Sequence, residues 1–273
     1  MSKKIQFVVW TIIAIIAVLI IGVVAYNAIN KMFGEVNHPE ATFEIENYGT
    51  VKMELYPEYA PNTVANFIKL IEAGYYNSKV IYGKDDICLY VGRNAGGEID
   101  KPKLSLISSD IEVDSEGDYE YSIKGEFVAN DFEQNTLRHE KGIISLIRDD
   151  YTQYISSLTE QSYNSGNSQI GIMMSDDARN LNGAYTAFGK ITEGLEILEK
   201  IYNEAEMKPA EENAESQGSP SEPADDINQF ATYPVITSAS VDTHGQDLGM
   251  PETMEAFNYE EYMQNLMSQY ANQ

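Results

Sequence analysis

Residues 41–78 read ATFEIENYGTVKMELYPEYAPNTVANFIKLIEAGYYNS, and the order of signals in this stretch decides the fold. Ala41 to Ile45 and Val51 to Leu55 alternate apolar and polar side chains, the period of strands with one buried face. Glu46-Asn47-Tyr48-Gly49 lies between them and predicts a hairpin turn. Pro61 then opens a helix, at a position where its missing N–H is tolerated. Val64, Phe67, Ile68 and Ile71 recur at helical spacing until Gly74 stops the run.

Further strands are expected at Ile87–Val91, Gly142–Ile147, Ile170–Met174, Ala187–Ile191 and Val235–Val241. Glu193 to Tyr202 reads as a helix with Leu195, Leu198 and Ile201 on one face. Many short strands with two helices predict an antiparallel barrel capped by helices, occupying residues 41–245; no internal repeat is visible. Within it, 149–166 and 204–226 read as insertions. The first is polar and rich in Tyr and Ser, a surface excursion with a short helix. The second carries eight acidic residues and one lysine and is expected to be disordered. In the tail at 246–273, an amphipathic helix is expected from Pro251 onward through Met254, Phe257, Tyr262 and Leu266. It packs on the domain in preference to a partner.

At the other end, residues 7–26 are free of charge and follow Lys3 and Lys4. This length crosses a bilayer as a helix, and the lysines place the N-terminus inside. The reading is a cytoplasmic stretch at 1–6, an anchor at 7–26 with Trp10 and Tyr26 at the two interfaces, and a linker at 27–40. The alternative is a cleaved signal peptide ending near Val23 and Ala25, which would give a secreted product; the length of the apolar run favours the anchor. Under both readings the domain lies outside the cytoplasm, so the expected localisation is the cell membrane.

A formal charge of −25, from 43 acidic and 18 basic side chains, excludes nucleic acid as a partner. His38, His139 and His244 are too dispersed for a metal site, and no cofactor is implied. Cys88 is the single cysteine, expected to be buried as a small hydrophobe. Asp176 and Asp177 suit a turn. Met173 and Met174 predict one core residue and one at a surface or groove wall.

Beyond the opening stretch, YSIKGEF (121–127), LRHEKGIISLIR (137–148), SGNSQIGI (165–172), LNGAYTAFGKITEG (181–194) and PVITSASVDTHG (234–245) follow in order. Together with 41–78 they resemble bacterial cyclophilin-type peptidyl-prolyl isomerases across most of 41–245. The resemblance implies a mainly β fold, a closed eight-stranded antiparallel barrel capped by two helices, with a substrate groove on its outer face. It implies rotation about X-Pro bonds, a guanidinium donating toward the prolyl nitrogen, and no cofactor.

The family stretch F-H-R-V-I-P-G-F-M-I-Q-G-G corresponds here to Ile81 through Arg93. On that comparison Gly83 stands at the catalytic arginine, Cys88 at a pocket phenylalanine, Leu89 at the pocket methionine and Val91 at the glutamine. Gly171 replaces a second pocket phenylalanine and Asn180 a tryptophan. The implied groove therefore comprises Leu89, Val91, Ile147, Gln169, Gly171, Leu181 and Tyr185. Arg148 resembles an accessory arginine of active bacterial members. For Lys84, Arg93 and Arg148 alike, a solvated surface charge is the expectation to beat, and His139 is expected to be structural. The implied function is an extracytoplasmic isomerase acting on proline-containing exported polypeptides, weakened by these losses. The alternative is an inactive cyclophilin-like module binding an envelope protein.

Overall fold

The computed structural model describes residues 37–209 and 227–271, together with Trp10, Ile16, Ile21 and Gly22. Those four are helical and exposed and belong to an N-terminal unit, residues 1–37, separate from a compact unit at 38–273. The rest of the expected anchor at 7–26, the stretch at 1–6 and most of the linker lie outside the described residues. So does 210–226 of the acidic loop. Among the described residues no helix is long and apolar enough to cross a membrane.

Strands β1 (Glu40–Ile45) and β2 (Gly49–Leu55) form the hairpin that their alternation predicts, with Phe43 opposite Val51. Asn47, at φ 61°, supplies the left-handed turn conformation. Helix α1 (Pro61–Glu72) has Pro at its start and no side-chain cap of its own. Its free N–H groups are instead met from a distance: Glu126 accepts from the backbone of Asn62 at 2.9 Å and of Thr63 at 2.8 Å. A carboxylate there also suits the positive end of the helix. Gly74, at φ +73°, ends the helix by donating to Ile71 O at 2.9 Å.

The chain continues as β3 (Val80–Lys84), β4 (Cys88–Arg93), β5 (Tyr121–Ile123), β6 (Ile143–Leu146), α2 (Thr159–Tyr163), β7 (Ile170–Met173) and β8 (Thr186–Glu193). Then come α3 (Leu195–Glu204), β9 (Asn228–Gln229), β10 (Ile236–Asp242), β11 (Thr253–Glu255) and α4 (Tyr259–Ala271). Nine strands make one sheet in the order β10-β1-β2-β8-β6-β7-β4-β3-β9, and β11 pairs with β5.

The expected closed eight-stranded barrel is therefore found as a nine-stranded curled sheet. Its flanks approach at a bridge between Val80 and Val235, where Ile81 donates to Pro234 O at 2.9 Å and Ile236 to Lys79 O at 2.8 Å. The extra strand is β9, which pairs with Gly83 and Lys84. Inside the curl, Phe43, Met53, Leu89, Ile144, Ile172 and Phe188 form the core, closed by Phe67 and Ile68 of α1 and by Leu198 and Ile201 of α3. A smaller cluster of Cys88, Ile143, Met173 and Ala187 lies apart from it, packed with Leu181. Met174 is in the main core and Met173 in this second cluster, the division expected of the pair.

The tail differs from expectation. Met254 lies in β11 opposite Ser122, Phe257 precedes the helix, and α4 begins only at Tyr259. Phe257, Tyr259, Tyr262 and Met263 pack on Tyr151, Ile155 and Leu158, so the tail joins the 149–166 excursion.

Candidate functional site

Along β4 the side chains alternate between the two clusters, which decides what faces the groove. Leu89 and Val91 are buried in the main core, whereas Cys88 packs with Met173, Leu181 and Tyr90 on the other side. This corrects the expectation for Leu89 and Val91: Cys88 and Tyr90 take the groove positions. The β3–β4 pairing shifts register between Val80 and Ile81 and again between Ile81 and Gly83. From Cys88 to Val91 itself β4 pairs in even steps with β7, so the facing there follows the alternation within the strand.

Gly83 does not open onto the groove. A Cβ there would lie 2.6 Å from Asn228 O and 2.7 Å from Ile227 Cγ2, because β9 runs directly over it. Glycine is what lets the two backbones approach. A Cβ on Gly171 would lie 2.7 Å from Cys88 Sγ and 2.9 Å from Ile147 Cδ1. Both glycines that stand where the resemblance implies a large side chain are thus crowded by neighbours.

What remains is an open groove of about 290 Å³. Its lining includes Cys88, Tyr90, Ile147, Arg148, Met173, Leu181, Tyr185 and Ile227. Arg148 is the one cation among the described residues lining it. Its guanidinium carbon lies 4.3 Å from the Tyr185 ring centre, 5.1 Å from that of Tyr163 and 5.7 Å from that of Phe127. Nε donates to Ala184 O at 3.3 Å and Nη1 to Asp149 O at 3.4 Å. Five N–H groups on the fork leave donors for a ligand. Gln169 lines a smaller recess beside Ile147 and Arg148, and its Oε1 accepts from Tyr82 Oη at 2.9 Å.

Burial shifts three further groups in or beside the groove, Cys88, Tyr90 and His139. Burial, then the charge of Asp85, pushes the Cys88 thiol well up, so it stays protonated. Burial, followed by Cys88 and Asp85, does the same for Tyr90, whose hydroxyl donates to Asp85 Oδ2 at 2.7 Å. Burial depresses His139, against a partly restoring bond to Asn182, and its Nε2 lies 3.0 Å from Ser145 Oγ. It is a structural histidine bonded on both ring nitrogens. Nor are the three cations plain solvated charges. Lys84 donates to Tyr202 O at 2.5 Å, and buried Arg93 stacks 4.2 Å over Tyr82.

The family model for cyclophilin-type peptidyl-prolyl cis-trans isomerases matches residues 41–227. The chain belongs to the cyclophilin family. Peptidyl-prolyl cis-trans isomerase B of Bacillus subtilis is 31% identical over 172 residues, covering 61% of this chain and 92% of that protein. A probable peptidyl-prolyl cis-trans isomerase of Brucella suis is 30% identical, covering 59% and 70%. Peptidyl-prolyl cis-trans isomerase-like 2 of Gibberella zeae is 26% identical, but the match spans only 22% of that protein. A Cryptosporidium parvum cyclophilin, crystallised in the presence of the dipeptide Ala-Pro, superposes with a TM-score of 0.50 at 19% identity, over 74% of this chain and 98% of that one.

Within this cyclophilin, the structure brings Ile147, Arg148, Leu181 and Tyr185 together on one groove, with Gln169 beside it and Gly171 packed against Cys88 and Ile147. It withdraws Leu89 and Val91 into the core and Gly83 beneath β9. Tyr90, Asp85, Asp150, Gln153 and Ile227 line the groove without having been singled out for it. For Tyr90 the signal was present, since it alternates with two core residues; for Ile227, at the end of a low-complexity stretch, there was none.

Proposed function

We propose that this cyclophilin is a peptidyl-prolyl cis-trans isomerase of reduced strength, acting on X-Pro bonds of polypeptides outside the cytoplasm while anchored by residues 7–26. The observation that carries the catalytic part is Arg148: a guanidinium braced on Tyr185 in a groove that also presents Ile147, Met173 and Leu181. Rotation about an X-Pro bond faces a barrier of about 20 kcal/mol and takes tens to hundreds of seconds unaided. No bond breaks, so the groove has only to bind the twisted bond better than either planar form. Leu181, Met173 and Ile147 offer the ring an apolar seat, and Arg148 offers a donor that favours loss of amide resonance. Reduced strength is inferred because no side chain fits at Gly83, leaving the donor to another strand end. The location outside the cytoplasm rests on the apolar run and the lysines before it.

The test is cis/trans exchange of a proline peptide, measured by NMR with the purified full chain in detergent micelles. Exchange that rises with enzyme concentration and falls in Arg148→Lys supports the reading. Exchange at the uncatalysed rate defeats it. A second reading, a groove that binds without turnover, is favoured by the filled positions at Gly83 and Gly171. In the same experiment it would give peptide line broadening without faster exchange.

A further inference from the structure

The wall of the groove formed by residues 150–153 is supplied by the excursion between β6 and β7, and it carries a carboxylate. Asp150 and Gln153 both line the groove, alongside Asp85 and Arg148. Asp150 caps the 3-10 turn Tyr151–Gln153 by accepting from Thr152 N–H at 3.1 Å. Tyr151 anchors that turn. It is 3% exposed, its N–H donates to Ser162 Oγ at 2.9 Å and its hydroxyl to Asp149 Oδ2 at 2.7 Å. Its ring stacks on Tyr259 at 5.2 Å and 9°, and meets Phe257 at 5.2 Å and 67°. Phe257 and Tyr259 belong to the C-terminal tail, which the β11–β5 ladder fastens to the domain. The tail thus braces a piece of the groove from behind.

Charge gives this wall a preference. Among the described residues, the charged side chains lining the groove are Asp85, Asp150 and Arg148. Asp85 is already engaged by the N–H groups of Ile87 and Cys88 and by the Tyr90 hydroxyl, and Arg148 lies over Tyr185. Among the described residues, the Asp150 carboxylate accepts hydrogen bonds only from Thr152, two residues on. A carboxylate so placed favours an opposite charge on whatever occupies the groove, and a net charge of −25 acts in the same direction at longer range.

We propose that the 150–153 wall, positioned by the C-terminal tail, selects X-Pro segments with a lysine or arginine beside the proline, and that Asp150 is the selecting residue. This rests on the groove being a proline site, and the experiment separates the two. Peptides that differ only in Lys or Glu beside the proline are titrated against the full chain, and binding is followed by NMR. An ion pair made by a partly exposed carboxylate is worth a factor of about two to five, so the Lys peptide should bind that much tighter. Asp150→Asn keeps an oxygen for the Thr152 cap and removes the charge; it should erase most of the ratio. Glu196→Gln makes the same change in net charge on exposed α3, away from the groove, and should leave the ratio intact. Tyr259→Ala should lower the ratio while the chain remains folded by circular dichroism.

An equal affinity of the wild type for both peptides, or a ratio that Asp150→Asn leaves unchanged, overturns the selection while the isomerase reading stands. A ratio that falls equally in Glu196→Gln assigns the effect to net charge and overturns the role of Asp150. An unchanged ratio in Tyr259→Ala overturns the brace. Binding of neither peptide overturns the proline site and the selection with it.

Discussion

Replacing Gly83 by alanine tests the most consequential feature of the site, the covering of that position by β9. The new methyl would start 2.6 Å from Asn228 O and 2.7 Å from Ile227 Cγ2. Carbon–oxygen contacts settle near about 3.3 Å, so β9 must retreat by about 0.7 Å or β3 must twist. Overpacking of this kind costs about 1–3 kcal/mol. Alanine returns about 0.4–1 kcal/mol by restricting the unfolded chain, which leaves a net loss of about 1–2 kcal/mol. For a domain of this size that lowers the thermal midpoint by about 2–8 °C, measurable by calorimetry. Because Ile227 lines the groove, its methyl resonances and those of Met173 should shift as well. Gly117→Ala is the control, since the nearest atom to its Cβ is Ser115 Oγ at 3.9 Å; it should stay within about 0.5 kcal/mol of the parent. If Gly83→Ala is as stable as the parent and the β9 amides keep their shifts, the packing of β9 on Gly83 is wrong, and with it the reason given for the absent side chain.

Three further outcomes are expected. Gly171→Phe should not rebuild a proline pocket. Its Cβ alone meets Cys88 Sγ and Ile147 Cδ1 below 3 Å, so the variant loses about 1–3 kcal/mol in urea unfolding, and Ile147→Ala added to it recovers part of the loss. Arg148→Lys keeps the charge but loses the planar fork, so catalysed exchange should fall about tenfold or more by NMR. His139 is depressed by burial, so the unfolded chain takes up a proton that the folded chain resists. Its contribution is therefore present above its unfolded pKa of about 6.5 and is lost as pH falls below it. The slope is at most about 1.4 kcal/mol per pH unit, and urea midpoints between about pH 7.5 and 5.5 should show a flatter dependence for His139→Gln than for the parent.

The sequence revealed those elements whose side chains repeat with a local period. The β1–β2 hairpin, α1 from Pro61 and α3 with Leu198 and Ile201 inward all follow from spacing within a dozen residues. Arg148, Leu181 and Tyr185, singled out through the resemblance of their segments, line the groove. The family correspondence put Leu89 and Val91 on the groove, whereas the alternation within β4, which runs in even steps against β7 from Cys88 to Val91, already sets them opposite to Cys88 and Tyr90. The sequence did not reveal β9, two residues long after an acidic stretch, or the stack of Tyr151 on Tyr259, which joins two aromatics far apart in the chain. Long-range contacts of this sort leave no periodic trace, and both lie next to residues that line the groove, Ile227 before β9 and Asp150 before Tyr151.

The two glycines that look like losses in the sequence look different in three dimensions. At Gly83 the missing side chain coincides with a backbone strand laid across the site, and at Gly171 with Cys88 and Ile147 drawn together over the bare position. Space has been refilled in each case, as close packing requires. A groove that had merely decayed would carry vacant volume, and adding back the arginine and the phenylalanine would restore it. Here the additions collide with structure, so the altered residues and their neighbours form units that change together. The donor for a twisted prolyl bond must then come from a position that the refilling left open. Arg148, braced by Tyr185, Tyr163 and Phe127 while its fork keeps spare N–H groups, meets that requirement. Arg93 does not, being buried and stacked on Tyr82, and Lys84 is turned to the end of α3 by its bond to Tyr202 O. On the proposed reading, catalysis in this chain stands or falls with one guanidinium on the strand end after β6.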